Sequence, residues 1–254
     1  MAAYPGLPSR PREKLYLPRW LIKVKDLHAR RAPGSTCLSA LFSGRIGTIE
    51  QPINNSEGCG GVMRVAPIGL FCRREEAFRI ACECAALTNG HPSGYLSAGV
   101  FAHVIACIIE GADIEEAVKD ALLALDKYNG KEECSIAVKK ALDLANSKEG
   151  PYTVIKLLGE GWVGEEAIAI SFYCALKYRD DFKKALCAAV NHDGDSDSTG
   201  AITGNILGAY FGINGIPEEW VAKVEMADVR TRIADDLLIR FENTREWKER
   251  YPGW

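Results

Sequence analysis

From Arg64 to the end of the chain, apolar residues recur with the 3.6-residue period of helices, and nowhere do β-branched residues alternate over a strand length. That pattern points to an all-α fold, in which each helix buries its apolar stripe against other helices. The spacing predicts helices over 75–88, 94–110, 113–126, 132–146, 151–158, 164–178, 180–190, 199–212 and 218–240. In the first, Ala77, Ile80, Ala81, Cys84, Ala85 and Leu87 share one face. Asp113 followed by Glu116 forms a capping-box signature. Pro217 with Glu218 and Glu219 marks another start, proline and acids both favouring a first turn. With 254 residues, 47% of them hydrophobic, the chain is long enough for one core or at most two.

Upstream of Arg64 the signals change. Pro5, Pro8, Pro11 and Pro18 block helix continuation, so residues 1–31 are expected to be an extended or partly disordered lead-in, with a short helix available from Trp20 to Arg31. The helical domain is expected to span 32–254. Ser35 and Thr36 are placed to cap a short helix over 37–42. Residues 43–62 contain five glycines and little periodicity, which reads as a long loop of the kind that carries function. No secretory h-region follows Met1. No uninterrupted apolar run reaches the roughly 18 residues of a membrane helix, so no membrane partner is expected. The net charge of −3 argues against nucleic-acid binding. Nine cysteines without a CxxC pair argue against a disulfide framework or a zinc site and suit reduced thiols in the cytoplasm.

Three stretches carry candidate chemistry. The first is Asp193-Gly194-Asp195-Ser196-Asp197-Ser198-Thr199-Gly200, immediately before a helix. Carboxylates and hydroxyls at this spacing are hard oxygen ligands for Mg²⁺, Ca²⁺ or Mn²⁺. The same residue types also suit a helix cap, although three acids repel one another without a cation or buried donors. An EF-hand loop is excluded. Counted from Asp195 the twelfth residue is Ile206, and counted from Asp193 it is Gly204, where a glutamate is required. The helix that follows carries Gly200, Gly204, Gly208 and Gly212 on one face, which predicts close approach of a neighbouring helix. The second stretch is Asn54-Asn55-Ser56-Glu57-Gly58-Cys59-Gly60-Gly61-Val62-Met63-Arg64. Its backbone amides are free of bulky side chains and able to approach an anion, but the loop equally suits a flexible turn. The third is Thr88-Asn89-Gly90-His91-Pro92, a turn between helices. His103, inside an apolar helix, reads as a satisfied core residue.

Taken in order, these stretches resemble the ADP-ribosylglycohydrolase family. Gly58-Cys59-Gly60-Gly61-Val62-Met63-Arg64 is similar to its Gly-Asn-Gly-x-x-Met-Arg loop. Thr88 with His91 is similar to its Thr-x-x-His segment, and Gly194-Asp195-Ser196-Asp197-Ser198-Thr199-Gly200-Ala201 to its Gly-x-Asp-x-Asp-Thr/Ser-x-x-Ala signature. The resemblance covers about residues 32–240. It implies an orthogonal multi-helix bundle around a cleft that holds two divalent ions, usually Mg²⁺. There water attacks the anomeric carbon and frees ADP-ribose from a modified protein or other conjugate.

By that resemblance Asp195, Asp197 and Ser198 are metal ligands, Ser56–Gly61 holds the diphosphate, His91 lies near the ribose-phosphate end and Arg64 braces the loop. Two departures bear on activity. Cys59 stands where the family usually has Asn. No Asp-Asp pair precedes residue 180, so the family's upstream Gly-Asp-Ala-x-Gly and Thr/Ser-Asp-Asp-Thr segments are not found. The chain is therefore expected to start downstream of them, to bind one Mg²⁺ or none, and to lack the family's upstream catalytic acid. A non-catalytic ADP-ribose-binding remnant and a crystallin-like helical scaffold are the alternatives to a hydrolase.

Overall fold

A computed structural model of the chain describes residues 20–252. The lead-in expected over 1–31 therefore falls largely outside the described residues. Thirteen α-helices follow: α1 (Ser35–Phe42), α2 (Ala66–Phe71), α3 (Arg74–Ala86), α4 (Pro92–Ile109), α5 (Ile114–Leu125), α6 (Glu132–Ala145), α7 (Pro151–Leu158), α8 (Gly164–Lys177), α9 (Phe182–Val190), α10 (Ser196–Phe211), α11 (Glu218–Val221), α12 (Ala227–Ile239) and α13 (Arg245–Arg250). Among the described residues there is no strand, only an isolated antiparallel bridge between Gly58 and Val163.

The described residues fall into two units. Pro33–Val224 is one; those up to Ala32 together with those from Glu225 are the other. The sequence-based division falls at 31/32 and assigns 225–254 to the helical domain.

In the larger unit α4 is the core helix. Ser93, Gly94 and every residue from Leu96 to Ile108 are buried, and it packs against α2, α3, α5, α8 and α10. Its start is fixed by Pro92 at the first helical position and by His91, whose Nδ1 accepts the amide of Ser93 at 3.2 Å. By length and composition α4 could cross a membrane, with a mean hydropathy of 1.5, contrary to the reading that no stretch qualifies. It is 89% buried inside the bundle, which identifies it as a core helix. The Asp113/Glu116 capping box forms at the start of α5.

Four expectations need correction. Ser35 and Thr36 lie inside α1 and do not cap it; Gly34 is the cap residue and makes no side-chain bond. The Trp20–Arg31 helix is two 3-10 turns, Trp20–Lys23 and Lys25–His28. The single helix expected over 218–240 is broken into α11 and α12, because Met226 adopts a left-handed conformation (φ 56°, ψ 36°) that no glycine or proline announces. Finally, α10 begins at Ser196 instead of 199, which puts Asp195 at its N-cap.

A candidate metal and ADP-ribose site

Asp195 occupies the cap position of α10 but its side chain caps nothing. Its Oδ2 instead accepts the Ser198 hydroxyl at 2.8 Å and the Cys59 thiol at 3.0 Å, and Cys59 also reaches Ser198 Oγ at 3.4 Å. Asp195 and Ser198 are buried; Asp197 is exposed. Burial pushes the Asp195 carboxyl up, but the hydrogen bonds from Cys59, Asp197 and Ser198 outweigh it and the net direction is down. Asp197 moves the other way, raised by its hydrogen bond to Asp195 and by burial. The opposite directions reflect the mutual repulsion of two adjacent acids, which a cation between them would relieve. The Cys59 thiol is pushed up to about 12, chiefly by burial and then by Asp195, so it is a neutral donor.

The rest of the segment is braced by residues that touch neither carboxyl. His192 Nδ1 accepts the Gly194 amide at 3.1 Å, so its Nε2 carries the proton and donates to Thr199 Oγ1 at 2.9 Å. Thr199 in turn donates to the carbonyl of Ala189 at 2.7 Å. Asp193, the third acid of the motif, accepts the Tyr152 hydroxyl at 2.7 Å. The Asp195 amide bonds the carbonyl of Glu160 at 2.8 Å, and a Cβ on Gly194 would stand 1.9 Å from that oxygen. Only glycine permits this approach.

The glycine-rich loop reaches the same place from the other end of the unit. Cys59 opens a 3-10 turn, Cys59–Gly61. The 160–164 segment lies between the loop and the acids. The Cys59 amide donates to Trp162 O at 3.1 Å and the Gly164 amide to Glu57 O at 2.8 Å. On the other side Asn89 Nδ2 holds Gly58 O at 2.8 Å, and Arg64 bonds Cys84 O and Thr88 Oγ1, both at 2.8 Å, and Gly60 O at 3.4 Å. Arg64 therefore braces the loop, as expected.

The amides of Ser56, Gly58 and Cys59 are engaged by Asn54 Oδ1, Ser56 Oγ and Trp162 O. Half of the six-residue Ser56–Gly61 stretch thus turns its backbone donors to the protein itself. Asn54 and Asn89 lay inside motifs already singled out but were given no role; the 160–164 segment carries no spacing signal and was missed.

His91 joins the loop through its amide, 3.3 Å from Ser56 O, and its Nε2, 3.5 Å from Glu57 Oε1. Glu133 completes a group whose ligand atoms lie within 4.8 Å of one another, and Ser93 Oγ donates to Glu133. Nearby Glu165 is pushed up to about 7 by burial and by the charges of Glu57, Glu133 and Glu166. Its Oε2 is buried with no hydrogen-bond partner. The His91 end of the site is thus rich in carboxyls, a property no sequence motif suggested.

A family model described as ADP-ribosylglycohydrolase matches residues 6–247. The chain is 29% identical over 228 residues to an uncharacterized protein of Archaeoglobus fulgidus, covering 87% of this chain and 70% of that one. It is 28% identical over 219 residues to mouse ADP-ribosylhydrolase ARH3, covering 74% of this chain and 58% of that protein. A Rhodospirillum rubrum ADP-ribosyl-[dinitrogen reductase] glycohydrolase shares 45% identity over 61 residues, 23% of this chain and 21% of that one. Among solved structures, an ADP-ribosylglycohydrolase-related protein complex superposes with a TM-score of 0.63 at 22% identity, covering 80% of this chain and 68% of that one. That likeness shows the fold.

Proposed function

Because the chain belongs to the ADP-ribosylglycohydrolase family, we propose that it serves the hydrolytic removal of ADP-ribose from a modified protein or other conjugate. The observation that carries this reading is the thiol of Cys59 meeting both Asp195 and Ser198 across 136 and 139 residues of sequence. It joins the glycine-rich loop and the acid segment into one site. The chain spans only 58% of the mouse relative, so activity, substrate and metal are all part of the proposal.

The residues fit one hard divalent ion. Asp195, Asp197 and Ser198 offer two carboxylates and a hydroxyl, and a cation between the two acids would relieve the repulsion that helps raise Asp197. The ion we propose is Mg²⁺. When bound it supplies a fixed positive charge against which the distal ribose hydroxyls are oriented. The chain's own residues do the rest. Cys59 and Ser198 donate to Asp195 and keep it an anion aimed into the site. Gly194 and Glu160 fix the backbone on which Asp195 stands. Asn89 and Arg64 hold the Gly58–Gly60 carbonyls inward, leaving Glu57 and His91 at the ribose-phosphate end. In the reaction, water oxygen bonds the anomeric carbon, the bond to the acceptor breaks, and the acceptor leaves with a proton. Nine cysteines, none in a disulfide, support a reducing, cytoplasmic setting.

A six-oxygen shell takes only three ligands from Asp195, Asp197 and Ser198. Weak Mg²⁺ binding and slow turnover by this chain alone are therefore expected, and binding without turnover is the second reading. The test is release of ADP-ribose from arginine- and serine-linked substrates in millimolar Mg²⁺, alongside Mg²⁺- and ADP-ribose-dependent thermal shifts. Asp195→Ala/Asp197→Ala should abolish both the release and the Mg²⁺ dependence of the shift. If the double variant retains both, the site lies elsewhere.

A further inference from the structure

The described part of the large unit holds a second convergence of chemical groups, on α4 and α5. His103 and Cys107 stand four residues apart on α4 and so share a face. Asp120 on α5 closes against both. His103 Nε2 is 2.8 Å and Cys107 Sγ 3.4 Å from Asp120 Oδ2. His103 and Cys107 are buried, whereas Asp120 is 40% exposed.

The hydrogen-bond pattern around His103 is informative. Its Nδ1 lies 2.9 Å from the carbonyl of Arg74. A carbonyl only accepts, so Nδ1 carries a proton. In a neutral ring Nε2 then has only a lone pair, yet it faces the carboxylate of Asp120, which also accepts. Two acceptors at this distance require a positive centre between or beside them. A second proton on His103 would supply it, with Arg74 Nη1 at 3.3 Å and the Cys107 thiol at 3.4 Å also donating to Asp120 Oδ2. A metal ion uses all three atoms, which lie within 4.8 Å of one another.

We propose that His103, Cys107 and Asp120 form a zinc site, separate from Asp195 and independent of the hydrolase reading. Nitrogen, sulfur and carboxylate oxygen are the donors zinc takes, and two ligands a helical turn apart with a third from a neighbouring element suit its tetrahedral shell. The Nδ1 bond to a backbone carbonyl is the outer-shell contact that orients metal-binding histidines. A pocket of about 250 Å³, lined by Phe78, His103, Asp120, Lys127 and Tyr128 among others, gives entry and room for a water as fourth ligand.

The charges facing the site are mixed. Arg74 lies 3.3 Å from Asp120 but is held by Glu110, to which its Nε donates at 2.6 Å; Glu75 and Lys127 line the pocket rim. Zinc binding forms a Zn–S bond and breaks the Cys107 S–H bond, the proton leaving to solvent with no change in oxidation state. The site escaped the sequence reading because Asp120 comes from another helix.

The experiment uses the full chain, stripped with a chelator and titrated with Co²⁺ as a spectroscopic stand-in for zinc. A thiolate-to-cobalt charge-transfer band should saturate at one Co²⁺ per chain and be displaced by Zn²⁺. Cys107→Ser should remove the band. Asp120→Asn, a change at a partly exposed position, should weaken Co²⁺ binding about tenfold or more. Asp195→Ala/Asp197→Ala should leave the band intact. Absence of the band, or a band that survives Cys107→Ser or is unmoved by Asp120→Asn, overturns the proposal. A band lost only in Cys59→Ser would assign the metal to the other site and overturn it equally.

Discussion

At the scale of single residues, Glu165 makes an unusual contribution. Its carboxyl is raised from 4.5 to about 7, because burial and the neighbouring Glu57, Glu133 and Glu166 all disfavour its charged form. Between those two values the folded chain holds a proton that the unfolded chain has lost. Stability therefore falls as pH rises through that window, and the loss is complete above it. Discounted for partial solvent access, the effect is on the order of 1–2 kcal/mol. Glu165→Gln removes the titration, so urea midpoints measured at pH 5 and pH 8 should differ less in the variant than in the parent. Equal differences would show that Glu165 is not the strained group. The same carboxyl-rich neighbourhood bears on binding. A diphosphate near His91 would meet Glu57, whose Oε1 lies 3.5 Å from the ring, so only protonated acids or an added cation would leave that end receptive. Motif reading singled out Asp195, Asp197, Ser198, Cys59 and His91 because their spacing is local. It could not find Glu133 or Glu165, whose meaning comes only from which helices pack together.

At the scale of elements, the helices were largely legible, since 3.6-residue periodicity, Pro92 and the Asp113/Glu116 box are local signals that tertiary packing did not override. What failed were conclusions that depend on a neighbour. The glycine face of α10 was expected to admit another helix along its length. A Cβ on Gly200 would stand 2.6 Å from Val190 Cγ1, on Gly204 it would meet Leu186 Cδ1 at an ordinary 3.7 Å, and on Gly208 it would meet nothing within 4 Å. The close approach is thus confined to the end of α10 that carries the acids, where α9 passes. Alanine at Gly208 should stabilise the chain by about 0.5–1 kcal/mol, because an open helical position gains in propensity. At Gly200 the same gain is opposed by overpacking of about 1–3 kcal/mol. Denaturant melts should therefore rank Gly208→Ala above Gly200→Ala by about 1–3 kcal/mol. The reverse order would mean that Val190 moves aside freely and that the stripe has no packing role.

At the scale of the whole molecule, the two units are held by different means. The larger one has a continuous apolar core running through α4 and α8. The smaller has one buried apolar side chain among its described residues, Trp247, while Leu238 is 84% and Phe241 65% exposed. Among its described residues, cohesion comes from polar contacts and from the ring contacts of Trp247 with Phe241 and Tyr251. Asp236, buried on α12, accepts Arg250 Nη1 on both oxygens at 2.7 and 2.6 Å and the Tyr251 hydroxyl at 2.8 Å. Burial pushes the Asp236 carboxyl up, but the bonds from Arg250 and Tyr251 pull it further down. Arg31 pairs with Glu225 in the same unit. A unit that buries little apolar surface opens at low free energy, so amides of α12 should exchange with deuterium well before those of α4. Removing Arg250 leaves Asp236 buried without its cation, a loss of about 1–3 kcal/mol. Arg250→Ala should thus speed exchange across Ala227–Ile239 about tenfold or more while leaving Pro92–Ile109 unchanged. If exchange accelerates equally in both helices, the units open together, and the polar contacts around Asp236 support the apolar core as well as their own unit.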